Sequence, residues 1–436
     1  MNPTKKPQQR KYSTQKNNDR LQSRRIVLPL QYEAYQIAMS TAETATATIN
    51  QQMSRHPELF PAEMQAGYKL NGWTQPSQKM PEVRLRRIRL QEPNSAGQKL
   101  AYTIAPCDLL PYLTGTTEEV EHALFLHQFG VPVWALTHVF GRNDSYWYRQ
   151  LASFGRTNIV GTTVKEADKM PVDLLADEKH AKAHGEKWYI ATTVAQDCVL
   201  GASVSATADA EGLTDAYGIF KQEAQQLVPD YTPSTVNIDG WAATAKAWRS
   251  SFPTVTIMLC FLHAFIKIRQ CCKRLDSHYE EIKQQVWDIY HASDRSHFLE
   301  QIASLQAWLL SHRSDLTSSA VAAIDKLCQR ADQYGLAYEH PTAYRTSNML
   351  DRHMEPMARW LAGGRYFHGH LQVAELRSRS WAVLHNFRPY CPRATVSKTF
   401  SSPAHQLNGF VYRENWLENL LVSSSCQQFR HRHKKR

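Results

Sequence analysis

A chain of 436 residues is long enough for two or three domains with cores of their own, and an apolar fraction of 42% with 10% aromatics is that of a folded protein. The formal charge of +11 points to a polyanionic partner, either nucleic acid or an anionic membrane. Apolar runs such as 254–265 fall short of the roughly 20 residues a membrane-crossing helix needs, and no apolar stretch follows the basic N-terminus as a secretory signal requires. Eight scattered cysteines with no C-x-x-C pair exclude a disulfide framework and a zinc finger. The expectation is a soluble cytoplasmic protein with no membrane partner, whose polyanion is nucleic acid.

Residues 1–25 carry eight Lys or Arg against one acid, Asp19, separated by Gln, Asn and Ser. Such a segment cannot build a core and is expected to be a mobile basic arm. Residues 26–165 follow as a mainly helical N-terminal region expected to bind DNA, with helix-forming sequence from Ile26 to about Ser54. A β-hairpin is predicted over about 82–105, where Val83-Arg84-Leu85 and Ile88-Arg89-Leu90 alternate, 93–97 turns, and Lys99–Ile104 returns. The Arg86-Arg87 pair breaks the alternation and predicts a bulge. Arg84 and Arg86 lie on its basic face.

Residues 117–156 predict three short helices. Thr117 caps the first, Gly130 ends it, and Pro132 opens the second, with Trp134, Leu136 and Val139 as its apolar residues. Gly141 turns into the third, Asp144–Phe154, with Trp147 and Leu151 inward. Two short helices about a glycine turn predict a helix-turn-helix, with a plain helical bundle as the alternative. On the first reading Tyr146, Arg149 and Gln150 face a major groove, with Arg142 and Arg156 near phosphates.

From Pro171 the pattern becomes three strands (172–177, 188–194, 199–205), then helix 211–227, strand 235–239, helix 241–250, strand 254–260 and helix 262–273. That order is the order of an α/β, RNase H-like mixed sheet, and residues 166–275 are assigned to its first part. Residues 276–344 are helical throughout and read as an all-α insertion. Residues 345–400 resume the domain with a long helix capped by Ser347 or Asn348, and 401–436 are read as a C-terminal basic tail ending in the basic run 430–436. No phosphate-binding glycine loop and no nucleophile elbow occurs.

Strand ends of α/β sheets open onto a crevice, so acids there are candidates for chemistry. Asp177 ends the first strand and Asp239 the fourth, and in this sheet those strands are neighbours. Asp173 is the alternative first acid if the strand is shifted. Two carboxylates so placed suit Mg²⁺ or Mn²⁺, which take oxygen ligands; two such ions about 4 Å apart serve phosphodiester transfer.

Gly240 after Asp239, Phe252-Pro253, and the strand ending Cys260-Phe261-Leu262-His263 resemble the region of the second acid in DDE-type transposases of bacterial insertion sequences, in particular the Mutator-related group. There a C-x-x-H follows the second acid, a helical insertion comes next, and an S-N-x-x-acid segment supplies the third. Thr346-Ser347-Asn348-Met349-Leu350-Asp351 occupies that place, and the resemblance runs over about 171–377.

It implies catalysis and metal binding by Asp177, Asp239 and Asp351 and site support from Cys260, His263 and Asn348; Arg352, on the helix of the third acid, reads from the residues as a DNA phosphate contact, with a solvated charged face as the alternative. The family has glutamate where this chain has Asp351; Glu355, one turn later before Pro356, is the alternative third acid. Read from the residues alone, Cys260 and His263 are packing and hydrogen-bonding groups. The implied reaction is hydrolysis at the ends of a mobile element, then attack of the freed 3′-hydroxyl on target DNA, by a dimer or higher oligomer. A DNA-binding regulator without catalysis and a structure-selective RNase H-like nuclease are the other readings.

Overall fold

A computed structural model of the chain describes residues 20–93, 97–273 and 278–431. The N-terminal region holds β1 (Arg20–Gln22), β2 (Arg25–Val27), α1 (Tyr32–Met39), α2 (Ala42–Arg55), β3 (Tyr68–Trp73), β4 (Arg86–Leu90) and β5 (Ala101–Ala105). It continues through α3 (Glu121–Gln128), α4 (Val133–Phe140), α5 (Asp144–Gly155) and α6 (Ile159–Thr163). The predicted hairpin is present as the antiparallel β4–β5 pair. It belongs to a four-stranded mixed sheet ordered β2-β5-β4-β3, whose strands β2 and β3 the sequence pattern does not reveal. The register irregularity falls on β3, between Leu70 and Trp73, and not within Arg86-Arg87.

The second sheet is built from β6 (Asp173–Ala183), β7 (Glu186–Ala195), β8 (Cys198–Ser205), β9 (Thr235–Ile238) and β10 (Thr256–Leu259), with α7 (Ala210–Leu227), α8 (Ala242–Ser251) and α9 (Phe261–Cys272) between and after them. Its order is β10-β9-β6-β7-β8. The three long strands run antiparallel, and β9 and β10 are parallel to β6. All eight residues of β8 are buried, as expected of a strand covered on both faces.

Helices α10 (Tyr279–Tyr290), α11 (Arg295–Ser311), α12 (Ser318–Gln329) and α13 (Ala331–Gly335) form the insertion. They share a core of their own, built on Ile282, Val286, Phe298 and Leu305 and closed by Phe261 and Ile268 of α9. The long helices α14 (Asn348–Gly363) and α15 (Leu371–Phe387) return to the sheet. Pro356 lies inside α14, which continues past it as one helix.

The odd-numbered residues of β6, Leu175, Ala181 and Ala183, share a core with Leu350, Met354 and Trp360 of α14. The even ones, Leu174 and Ala176, pack with Leu213, Tyr217 and Trp248 of α7 and α8. The period-two alternation of a strand therefore decides which helix layer each side chain of β6 meets.

The C-terminal segment is no tail over most of its length. It forms α16 (Pro403–Asn408), α17 (Trp416–Ser423) and β11 (Phe429–His431), and Leu417, Leu420 and Val422 are fully buried in the core of the N-terminal region. Residues 1–19 of the expected basic arm and 432–436 of the basic run lie outside the described residues. Among the described residues, no helix is long and apolar enough to cross a membrane.

Candidate functional site

Strand β6 continues six residues beyond the predicted end, so Asp177 sits in its middle and not at its tip. It is β9 that stops, after Ile238. The parallel register pairs Asp173 with Thr235 and Leu175 with Asn237, and two further steps bring Asp177 level with Asp239. Both belong to the α14 side of the sheet. Gly240, at φ +94°, turns the chain out of β9 there, a backbone state that costs glycine little.

The segment ahead of α14 is laced to the ends of β9 and β10. Asn237 Nδ2 donates to the Tyr344 carbonyl (2.7 Å), the Phe261 N–H to that of Arg345 (3.2 Å), and the Ser347 N–H to Cys260 Sγ (3.2 Å). This lacing sets the first turn of α14, with Asp351, on the side where the other two acids stand.

Burial, with the charge of Asp239 next and that of Asp351 adding to it, pushes the Asp177 carboxyl up to about 6, against the pull of the Glu178 N–H and of His263. The three acids are thus within electrostatic reach of one another. Each has an oxygen engaged: Asp177 Oδ1 accepts the Glu178 N–H (2.7 Å), Asp239 Oδ1 the Trp241 N–H (2.7 Å), and Asp351 Oδ2 the Ser347 hydroxyl (3.1 Å).

The alternative acids have partners of their own. Asp173 accepts the hydroxyls of Thr235 (2.7 Å) and Thr342 (2.8 Å) and serves as a tie between β6, β9 and the loop before α14. Glu355 is exposed and pairs with Arg359 at 3.5 Å.

Ser347, read from sequence as a helix cap, makes no side-chain cap. Its hydroxyl instead meets Cys260 Sγ (3.2 Å), His263 Nδ1 (3.5 Å) and Asp351. Hydrogen bonding to Cys260 raises His263 to about 9, and burial of the imidazole only partly opposes this. Burial disfavours the Cys260 thiolate, but bonds from His263 and Ser347 outweigh it and hold the thiol below its usual value. Cys260 and His263 therefore hold the start of α14 through Ser347, as packing and hydrogen-bonding groups. Asn348 is exposed at the start of α14. Ser347→Ala is expected to slow any reaction at these acids by about 10- to 100-fold, the range for groups that orient a ligand, with a small loss of melting temperature; paired rate and melting measurements check it.

An all-oxygen donor set of this kind suits Mg²⁺ or Mn²⁺. The full set is not closed: among the described residues, no three His, Cys, Asp or Glu side chains stand close enough to hold a single ion. Two features on the other face of the sheet are not legible in the sequence. Glu178 turns to the opposite layer, buried, where it accepts the hydroxyls of Tyr217 (2.8 Å) and Thr244 (2.8 Å). A cavity of about 570 Å³ beside Gly240 is lined by Lys246, Arg249 and Arg330, and no acid lines it.

The predicted DNA-contact residues divide. In α5, Arg149 is exposed, as expected, together with Tyr148. Gln150 is not outward: it is 2% exposed and its amide donates to the Thr114 hydroxyl (2.9 Å). Tyr146 is half-buried beneath the Arg142 guanidinium (5.3 Å), and Arg142 pairs with Glu119 at 2.6 Å. Arg156 is half-buried where α5 ends.

Trp147 and Leu151 face inward as predicted, but Trp134 (68%) and Val139 (67%) of α4 are exposed and only Val133 and Leu136 are buried. Arg84 is exposed just ahead of β4, and Arg86 packs over the Trp73 ring (4.8 Å). Arg352 pairs with Asp197 in the β7–β8 turn (3.2 Å). Comparison with protein-family models and with curated protein sequences finds no match for this chain.

Proposed function

We propose that this protein is a DDE-type DNA transposase with an RNase H-like catalytic domain, which binds the terminal repeats of an insertion sequence, cleaves there and joins the 3′ ends to target DNA. The observation that carries the reading is the level placement of Asp177 and Asp239 on neighbouring parallel strands, with Asp351 brought to the same side. The strand order β10-β9-β6-β7-β8, with an all-helical insertion between the second and third acids, is the arrangement that reading requires. Asp177 and Asp239 would hold the divalent ion, with Asp351 completing the set. Such ions lower the cost of charge building on the attacking and leaving oxygens of a phosphodiester.

The protein's own part is to fix the two strand acids at one height and to hold Asp351 through Ser347. Its basic groups, among them Arg149 and Arg352, would steer the DNA backbone toward them. A non-catalytic DNA-binding regulator is the second reading, favoured by the one observation that the acids do not close on a common point.

Metal identity separates the two. With duplexes carrying the element's ends, Ca²⁺ should support binding but little cutting, because its larger and looser shell suits phosphodiester transfer poorly. Exchange into Mn²⁺ or Mg²⁺ should start nicking, and a second duplex should then become covalently joined to the cut 3′ ends. Binding without nicking or joining in Mn²⁺, on verified end sequences, establishes the regulator.

A further inference from the structure

The cavity of about 570 Å³ beside Gly240 runs along one side of α8, from Ala242 in the first turn to Ser250 in the last. Its floor is apolar, with Ile238 and Leu259 of β9 and β10, which pack in the core under α7 and α8. It therefore lies on the face of the sheet opposite Asp177 and Asp239. β10 is the end strand of that sheet, and beyond it the cavity is closed by Arg330, where α12 passes into α13. The sheet and the helical insertion thus share it.

Its charge is of one sign. Lys246 and Arg249, one turn apart on α8, are exposed, and Arg330 is half-buried. Among the described residues none of the three pairs with an acid, whereas Lys283, Arg295 and Arg313 of the insertion each do. The Arg330 guanidinium lies against Gly240, where an added Cβ would come within 3.0 Å of its Nη1. The glycine that turns the chain out of β9 also leaves room for this cation. α8 opens at Trp241 with no side-chain cap, so the positive end of its dipole adds to the same concavity at Ala242. Like charges gathered without a counter-charge repel one another and create a field that an anion relieves.

Length decides which anion. From Ala242 to Ser250 the α8 wall runs about 12 Å at roughly 1.5 Å per residue. That is the length of about three to four nucleotides of one DNA strand. A single small anion fills only part of it. We propose that the cavity is a clamp for the phosphate backbone of DNA, with a strand laid along α8 and its phosphates on Lys246, Arg249 and Arg330. The insertion and the second sheet then grip the duplex together. The clamp rests on the DNA-binding part of the reading above, reads no sequence and uses no metal.

The test is fluorescence anisotropy of the full chain in chelator, across a range of salt, with a labelled duplex carrying an element end and an unrelated duplex of equal length. Lys246→Gln/Arg249→Gln, at two exposed positions, should weaken binding to both duplexes alike by about 10-fold, because phosphate contacts carry no sequence information. The log–log salt slope should fall by about 0.9 for every phosphate no longer neutralised, and Arg330→Gln should lower it further. Lys283→Gln/Arg313→Gln removes the same charge from the insertion outside the cavity. That control should change binding by less than about 2-fold. Parent-like binding by the Lys246/Arg249 variant, or an equal loss in the control, overturns the clamp. Melting curves in pyrophosphate and in chloride at matched ionic strength supply the other arm. A rise of about 2 °C or more in the parent that the Lys246/Arg249 variant loses, with duplex binding unchanged, makes the cavity a small-anion site and also overturns the clamp. Binding is read without divalent ions, so the clamp can fail while cleavage in Mn²⁺ stands, and cleavage can fail while the clamp stands.

Discussion

Asp177→Asn and Asp239→Asn should each abolish DNA cleavage and joining, a fall on the order of 10³-fold or more for groups that work as a unit, with DNA binding unchanged. Asp351→Asn should do the same, and Glu355→Gln should have only a small effect because its carboxylate faces solvent and Arg359. The reverse order would make Glu355 the third acid. Stability should move the other way. Burial and the neighbouring charge of Asp239 raise Asp177 from the usual carboxylate range to about 6.

A carboxyl whose folded value lies above its unfolded one favours the fold at low pH, and that contribution is lost as pH rises through about 6. The metal-free protein should therefore gain about a few °C in melting temperature on Asp177→Asn at neutral pH, and less at pH near 4. Melting curves in chelator at the two pH values check this. A variant less stable than the parent at neutral pH removes the repulsion argument, whatever happens to cleavage.

The second sheet is largely legible in the sequence because its segments carry strong and different periods. Thr235–Ile238 is a short β-branched run that stops at an acid and a glycine, and α7 and α8 show helical spacing. The end of β6 is not legible: Lys179, His180 and Lys182 look like loop residues, yet pairing with β7 extends the strand through Ala183. β3 is hidden because Lys69, Asn71 and Gly72 are poor strand formers in isolation. In α4, Val133, Trp134, Leu136 and Val139 are apolar on several faces, so spacing alone cannot decide which is buried.

Ser347 shows the same limit at the site. Its position ahead of a helix reads as a cap, and only the return of the chain from the insertion brings Cys260 and His263 to its hydroxyl. Gln150 stands three residues after Trp147 and four before Phe154, so spacing itself sets it at the inward face of α5, where its amide meets the Thr114 hydroxyl.

Glu223→Ala or Arg379→Ala should destabilise the protein by about 3–5 kcal/mol, because each leaves its partner charged and buried. That is a large share of the roughly 5–15 kcal/mol by which folded proteins are stable. Arg379 is 1% and Glu223 2% exposed, and they form an ion pair between α15 and α7. The guanidinium also donates to the carbonyls of Gly155 (3.1 Å) and Thr157 (2.7 Å), and Glu223 Oε2 accepts the Ile159 N–H (2.7 Å). The pair thereby clamps the chain where α5 passes into α6.

α5 itself crosses α15 so closely at Gly155 that an added Cβ would lie 1.9 Å from the Leu376 carbonyl oxygen. The helix carrying Arg149 is consequently fixed to the layer that covers the acids. Replacing both partners with apolar residues of similar size, Glu223→Leu with Arg379→Met, should restore much of the loss, since neither then leaves an unpaired charge. Chemical denaturation of the two single variants and the double variant measures the coupling. If Arg379→Ala unfolds within about 1 kcal/mol of the parent protein, the ion pair is not the clamp. If it loses stability as expected, partial unfolding at the α5–α6 junction should also weaken the proposed DNA contact of Arg149 before the sheet that carries Asp177 and Asp239 is lost.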